Sequence, residues 1–174
     1  MKERPIGISI LSVLYILGGL AILVMQLFLS GAISEVMESV GIPGLYSLFA
    51  IGFLGFLGLS SGIGMWTGKR WGWWLGAFYL LYSVARSTNA ILMIPSLVEQ
   101  FGAPEGGVDK YYIKYGGRIF FHSLLTLYFF KGNVVEFFGV GDTNPWKRFG
   151  ILFGATVFFF IVMTIISIMA GSDA

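Results

Sequence analysis

Two sets of polar side chains recur at helical spacing inside otherwise apolar sequence. Tyr79, Tyr82, Arg86 and Asn89 are separated by three, four and three residues, so one helix face carries all four. Tyr115, Arg118, His122 and Thr126 follow at three, four and four and share a second face. An ionised side chain in a bilayer costs about 2.5–3.5 kcal/mol on insertion scales, which makes each one a candidate for function. The chemistry open to these residues is anion binding. Arg86 stands about 22 Å from the Trp71 end of its run, and Arg118 about 20 Å from Lys131. Facing helices would bring the two guanidiniums level, where they repel unless a phosphate or carboxylate lies between them. Tyr82, Arg86, Asn89, Arg118 and His122 are therefore the candidate ligand-binding residues. The competing use of both arginines is to lay their stems along apolar surface and reach the headgroups.

Other chemistries find less support. His122 can change charge near neutral pH, but no Asp or Glu lies in an apolar run to partner it. That argues against carboxylate-based proton or sodium coupling and against intramembrane aspartyl or zinc proteolysis. A hydrogen bond between helices is the ordinary use of such a histidine. Cysteine is absent and histidine occurs once, which excludes disulfides, thiolate metal sites and multi-histidine centres. No metal, no cofactor and no catalytic residue set is expected. Met65-Trp66-Thr67-Gly68-Lys69-Arg70 ends like a phosphate loop, but Ile63 stands where the first glycine is required.

The elements that must hold these residues follow from composition. The 174 residues are 56% hydrophobic and 11% charged, with a mean hydropathy of +0.83. A soluble domain carries about 25% charged residues, so the chain is expected to be an all-α, polytopic helical membrane protein. A net charge of +2 gives no case for nucleic acid. Residues 1–174 read as one transmembrane domain with about five spans, at 6–29, 45–66, 71–94, 112–130 and 149–170. The first run is too long for a signal peptide and lacks a convincing cleavage site.

Basic residues set the orientation. With the N-terminus inside and the C-terminus outside, Lys2, Arg4, Lys69, Arg70, Lys131, Lys147 and Arg148 all fall inside, seven of the eleven. Glu35, Glu38, Glu99, Glu105, Asp109 and Asp173 fall outside. Trp66, Trp71, Trp73, Trp74 and Trp146 form an aromatic belt at the inner boundary, and Tyr46, Tyr111, Tyr112 and Tyr115 one at the outer. The expected location is the cell membrane.

Between the spans, Gly31–Gly44 places Ile33, Val36, Met37 and Val40 on one face, as in a small helix lying in the interface. Pro95–Lys110 reads as a loop, and Asn133–Val140 as a short helix on the inner surface. Gly58 and Gly62, Gly72 and Gly76, and Gly150 and Gly154 each have the spacing that lets helices approach closely. Gly64 and Gly68 share it. Some of these seams are expected to face another subunit. The run Lys69-Arg70-Trp71-Gly72-x-x-x-Gly76-Ala77 is echoed by Lys147-Arg148-Phe149-Gly150-x-x-x-Gly154-Ala155, as a duplication would leave it, or as basic anchor, aromatic belt and small-residue seam would each produce for their own reason. Phe120-Phe121 and Phe158-Phe159-Phe160 read as lipid-facing surface.

The order of several features resembles small four-span prokaryotic integral membrane proteins of uncharacterised function. The resemblance rests on Arg4-Pro5-Ile6-Gly7, Gly18-Gly19, the stretch Trp66-Thr67-Gly68-Lys69-Arg70-Trp71-Gly72-Trp73-Trp74, Leu127-Tyr128-Phe129-Phe130 and Val135-Glu136-Phe137-Phe138-Gly139. It covers about residues 1–140, and the fifth span departs from it. It implies a topology and no activity.

Three functions compete on these residues. The first is a non-enzymatic accessory or structural membrane subunit, partnered by the bilayer and by other membrane chains or its own copies. The second is a small oligomeric transporter or channel for an anionic solute or lipid, built on an Arg86/Arg118 pocket. The third is a lipid-headgroup enzyme using His122 as acid–base.

Overall fold

A computed structural model describes residues 3–39, 44–104 and 106–171, with the backbone alone for 167–171. Lys2, Val40, Glu105 and Asp173 lie outside the described residues. The elements are α1 (Ile6–Ser39), α2 (Gly44–Trp66), α3 (Arg70–Phe101), α4 (Asp109–Phe129), α5 (Gly132–Phe137) and α6 (Pro145–Gly171). No strand occurs among the described residues. Among the described residues, four helices are long and apolar enough to cross a membrane: α1, α2, α3 and the Pro145–Ile166 part of α6. The helix α4, at about 31 Å, has the length for a crossing. Asp109, Lys110, Lys114 and Arg118 crowd its first half and make it the least apolar of the long helices.

Two helices run further than the sequence suggests. The first continues through Gly31 to Ser39, so no separate interfacial helix begins at Gly31. One helical glycine costs about 1 kcal/mol, too little to stop a helix that is still packed. The Gln26 side-chain amide donates to Leu48 O at 2.7 Å, and Gly44 lies against Ser34, so α2 supports α1 along this stretch. The third helix passes through Pro95 to Phe101, where a loop was expected. Proline removes one intrahelical donor, and Pro95 sits on an exposed face where its ring meets no neighbouring helix.

Helices α1 and α2 form an antiparallel pair along a glycine seam. A Cβ on Gly19 would meet Gly55 O at 2.7 Å, and one on Gly62 would meet Ser12 O at 2.9 Å. The turn into α3 is closed by Gly68, whose φ of +64° is open to glycine at little cost. Its N–H donates to Met65 O at 3.1 Å, and the Lys69 N–H to Gly64 O at 2.9 Å, the paired bonds of a Schellman helix end. Gly139, with φ +64°, closes α5 in the same way through Val140 N–H to Val135 O at 3.1 Å. Past the Gly68 turn, Gly72 touches the backbone of Gly64, and Gly76 admits the Phe129 ring.

The core lies at one end of the bundle, the end that holds this turn. Ile8, Met65, Trp73, Phe129, Val134 and Leu152 belong to one buried cluster drawn from α1, α2, α3, α4, α5 and α6. The short helix α5 thus turns Val134 and Val135 into the bundle and plugs this end rather than lying on its surface. At the same end Arg4 donates to Trp66 O at 2.6 Å and lies over the Trp66 ring. Arg70 pairs with Asp142 at 2.6 Å, joining α3 to the α5–α6 connection. Away from this end α1 and α2 stay paired, while α4 buries only Thr126 and Phe129.

Candidate functional site

Among the described residues, two cavities lie between the helices. The smaller, about 270 Å³, lies between α2, α3 and α6. Its wall includes Tyr46, Leu54, Tyr82, Arg86, Asn89 and Thr164. Spacing on α3 explains the trio Tyr82, Arg86 and Asn89, which occupy one face at intervals of four and three. Tyr79 turns instead toward α1 and meets Tyr15, ring centroids 4.9 Å apart. Among the described residues, no acceptor bonds the Arg86 guanidinium and no hydrogen-bond partner serves the Asn89 amide or the Tyr82 hydroxyl. A cation, an amide and a phenol thus converge on one cleft with their donors unspent. That donor set suits an anion.

The larger cavity, about 890 Å³, is a groove between α3, α4 and α6. Both α4 and α6 pack chiefly on α3, which leaves the groove between them. Leu81, Ala85, Phe153, Val157 and Ile161 give it an apolar wall. Four threonines also line it, and each has spent its hydroxyl on its own helix. Thr88, Thr126, Thr156 and Thr164 donate to Val84, His122, Leu152 and Phe160 carbonyls at 3.0, 2.8, 2.9 and 2.9 Å. Ser123 and Asn89 complete its polar lining. The two cavities adjoin, because Asn89, Phe160 and Thr164 line both.

Arg118 and His122 line neither cavity. Arg118 is exposed on α4 and lies 5.8 Å from the Tyr115 ring centroid, as does Lys114 on the same ring. The His122 ring places Nδ1 2.7 Å from Arg118 O, one turn back. A carbonyl can only accept, so in this bond Nδ1 is the donor. The bond stays within α4 and joins no second helix. The structure thus brings together Tyr82, Arg86 and Asn89 of the five candidates.

The packing glycines divide as sharply. A Cβ on Gly62, Gly72 or Gly76 would strike a neighbour, and one on Gly58 would touch Gly19 at 3.4 Å. Around Gly150 and Gly154 nothing lies within 4 Å. The two echoed segments therefore stand in different surroundings, with Arg70 exposed and paired and Arg148 buried.

Three residues have roles that the linear pattern hides. Trp73 is not a belt residue: it is fully buried, and its indole N–H donates to Phe129 O at 2.9 Å. Arg148 is not a surface anchor. It is 4% exposed and lies 5.6 and 5.8 Å from the Trp73 and Phe130 ring centroids, with Nε and Nη1 unpartnered. Phe159 does not face lipid. It stacks on Phe53 at 4.4 Å and meets Tyr82 edge-on at 5.1 Å. One signal would have found two of them. Arg148, Leu152, Thr156, Phe159 and Met163 recur at four, four, three and four, and this is the inward stripe of α6.

No family profile, curated protein or solved structure matches the chain. The residues and their geometry carry the functional reading.

Proposed function

We propose that this chain is a non-enzymatic accessory subunit of the cell membrane that lends the Gly150/Gly154 face of α6 to a helix of another membrane protein. The carrying observation is the open state of that face. The other glycine pairs singled out for close approach, Gly58 with Gly62, Gly64 with Gly68 and Gly72 with Gly76, are covered within the chain. Burial along α6 points the same way: 17% of its most apolar window is buried, against 39% for α2. Glycines four apart let two backbones approach to van der Waals contact, which is the main attraction between helices in lipid.

In this reading α4 is a fifth crossing, and the end holding Arg4, Lys69, Arg70, Lys131, Lys147 and Arg148 faces the cytoplasm. The four-span membrane proteins it resembles would then share the first four crossings. Native mass spectrometry of the protein released gently from its own membrane tests the reading. A second polypeptide in fixed ratio, lost in Gly150→Ile/Gly154→Ile, is the expected result. A monomer, or a homo-oligomer indifferent to that change, would overturn it.

A second reading is favoured by the Arg86 cleft alone: an oligomeric transporter or channel for an anionic solute. It requires anion flux into vesicles that Arg86→Gln abolishes.

A further inference from the structure

We propose that the Arg86 cleft and the adjoining groove form one binding site for an anionic phospholipid of the surrounding bilayer, with its phosphate at Arg86 and one acyl chain in the groove. On α6 the groove wall includes Val157 and Ile161, which follow Gly150 and Gly154 at helical spacing, so the lipid would border the face that the proposed function gives to a partner helix, whereas the Arg86 cleft lies off that face. The cleft and the groove share Asn89, Phe160 and Thr164 as their common border, and the proposal lays one molecule across it. Polarity divides between them as in a lipid. Arg86, Asn89, Tyr82 and Tyr46 gather in the cleft, while leucine, valine, isoleucine and phenylalanine make up most of the groove, with Ser123 and the four threonines among them.

Depth agrees with this division. Arg86 is about 24 Å along α3 from Arg70 at 1.5 Å per residue. In a hydrocarbon core of about 30 Å, its guanidinium reaches the phosphate level of the far leaflet. The groove extends from Phe149 to Ile165 on α6, about 24 Å, which exceeds the half-core of about 15 Å that one acyl chain covers. Charge selects the headgroup. Arg86 has no carboxylate partner among the described residues, so it contributes a full uncompensated cation. A guanidinium offers a phosphate two parallel N–H bonds, and the Asn89 amide and Tyr82 hydroxyl add donors beside it. A zwitterionic headgroup brings its own ammonium and gains less from the same site.

Native mass spectrometry of the full chain in detergent, with phosphatidylglycerol and phosphatidylcholine added in turn, tests the proposal. Wild type is expected to retain one phosphatidylglycerol in preference to phosphatidylcholine. Arg86→Gln is expected to lose about tenfold in phosphatidylglycerol retention, the loss of one charge-assisted hydrogen bond, and to keep the weaker phosphatidylcholine binding. Arg118→Gln, which removes an exposed cation outside the site, should leave the preference intact. Val157→Trp places a large ring in the groove from an exposed position and should weaken retention of both lipids. Equal effects of Arg86→Gln and Arg118→Gln would reduce the preference to general surface charge and overturn the site. Unchanged retention in Val157→Trp would remove the acyl chain from the groove. A change of oligomer mass in Val157→Trp, with lipid retention untouched, would give the groove to a protein helix instead.

Discussion

The indole N–H of Trp73 donates to the carbonyl oxygen of Phe129 across 2.9 Å, and both side chains are fully buried. Phe129 is the last residue of α4, so the bond satisfies one of the carbonyls that a helix end leaves free. It also ties the start of α3 to the end of α4. Trp73→Phe keeps most of the ring and deletes the donor, leaving a buried carbonyl unpaired. The expected loss is about 1–2 kcal/mol, and Trp73→Ala adds a cavity for a total of about 3–5 kcal/mol. Thermal unfolding in detergent should rank wild type above Trp73→Phe and that above Trp73→Ala. Equal melting of wild type and Trp73→Phe would show that the bond contributes nothing to the α3–α4 junction.

Glycines that look alike in the chain should respond in opposite directions. A Cβ on Gly72 would strike the backbone of Gly64, which no rotamer change can relieve. Gly72→Ala is expected to cost about 1–3 kcal/mol, the usual range for overpacking. Gly150 has nothing within 4 Å, so Gly150→Ala is expected to stabilise the isolated chain by up to about 1 kcal/mol through helix propensity. Both variants are compared by melting of the detergent-purified protein. A destabilised Gly150→Ala monomer would mean that a neighbour already covers this face within the chain.

Apolar length made the spans at 45–66 and 149–170 legible, since nothing competes with a run of that kind. The tight turn between α2 and α3 was equally open to reading, because Gly68 and its basic neighbours interrupt the hydropathy at one point. Helix ends beyond the runs were not. Pro95 and Gly31 are weak breakers against tertiary support, and that support comes from residues distant in sequence, such as Leu48 for α1. Of the candidate site, the α3 face was legible from its spacing. Arg118 was not separable from Arg86, because equal depth along two helices says nothing about which way each helix faces. Trp73 and Arg148 share types with true interfacial anchors. Only the α6 stripe through Leu152 and Thr156 marks Arg148 as inward, and only the end of α4 gives Trp73 its partner.

The Arg70–Asp142 pair should leave a small signature at acid pH. Arg70 Nη2 lies 2.6 Å from both carboxylate oxygens, and this bond holds the Asp142 carboxyl below its ordinary range. A depressed carboxylate contributes stability above the unfolded-state pKa of about 3.9 and loses it as pH falls through the folded value. From pH 7 to 5 the contribution is constant. Asp142→Asn should therefore melt slightly below wild type across that window, with the difference closing below about pH 4. Both side chains are more than half exposed, so the difference is also expected to fade in high salt. A gap that widens on acidification would assign the acid response to another group.

Arg148 sets two large effects against each other. Its guanidinium lies near the Trp73 and Phe130 rings, and each desolvated cation–π contact is worth about 2 kcal/mol. Phe130 caps α4, so the cation also meets the negative end of that helix dipole. Against this stands the removal of a charge from water, at several kcal/mol, with Nε and Nη1 unbonded. A neutral side chain of similar length avoids that cost and keeps the contact with both rings. Arg148→Met is therefore expected to melt at or above wild type. Arg148→Lys should melt below it, because an ammonium is more strongly hydrated than a guanidinium and costs more to bury. Arg148→Ala should also fall below Arg148→Met, through the cavity it leaves. If Arg148→Met instead proves the least stable of the three, ring contacts and the α4 dipole outweigh desolvation, and this end of the bundle depends on its buried charge.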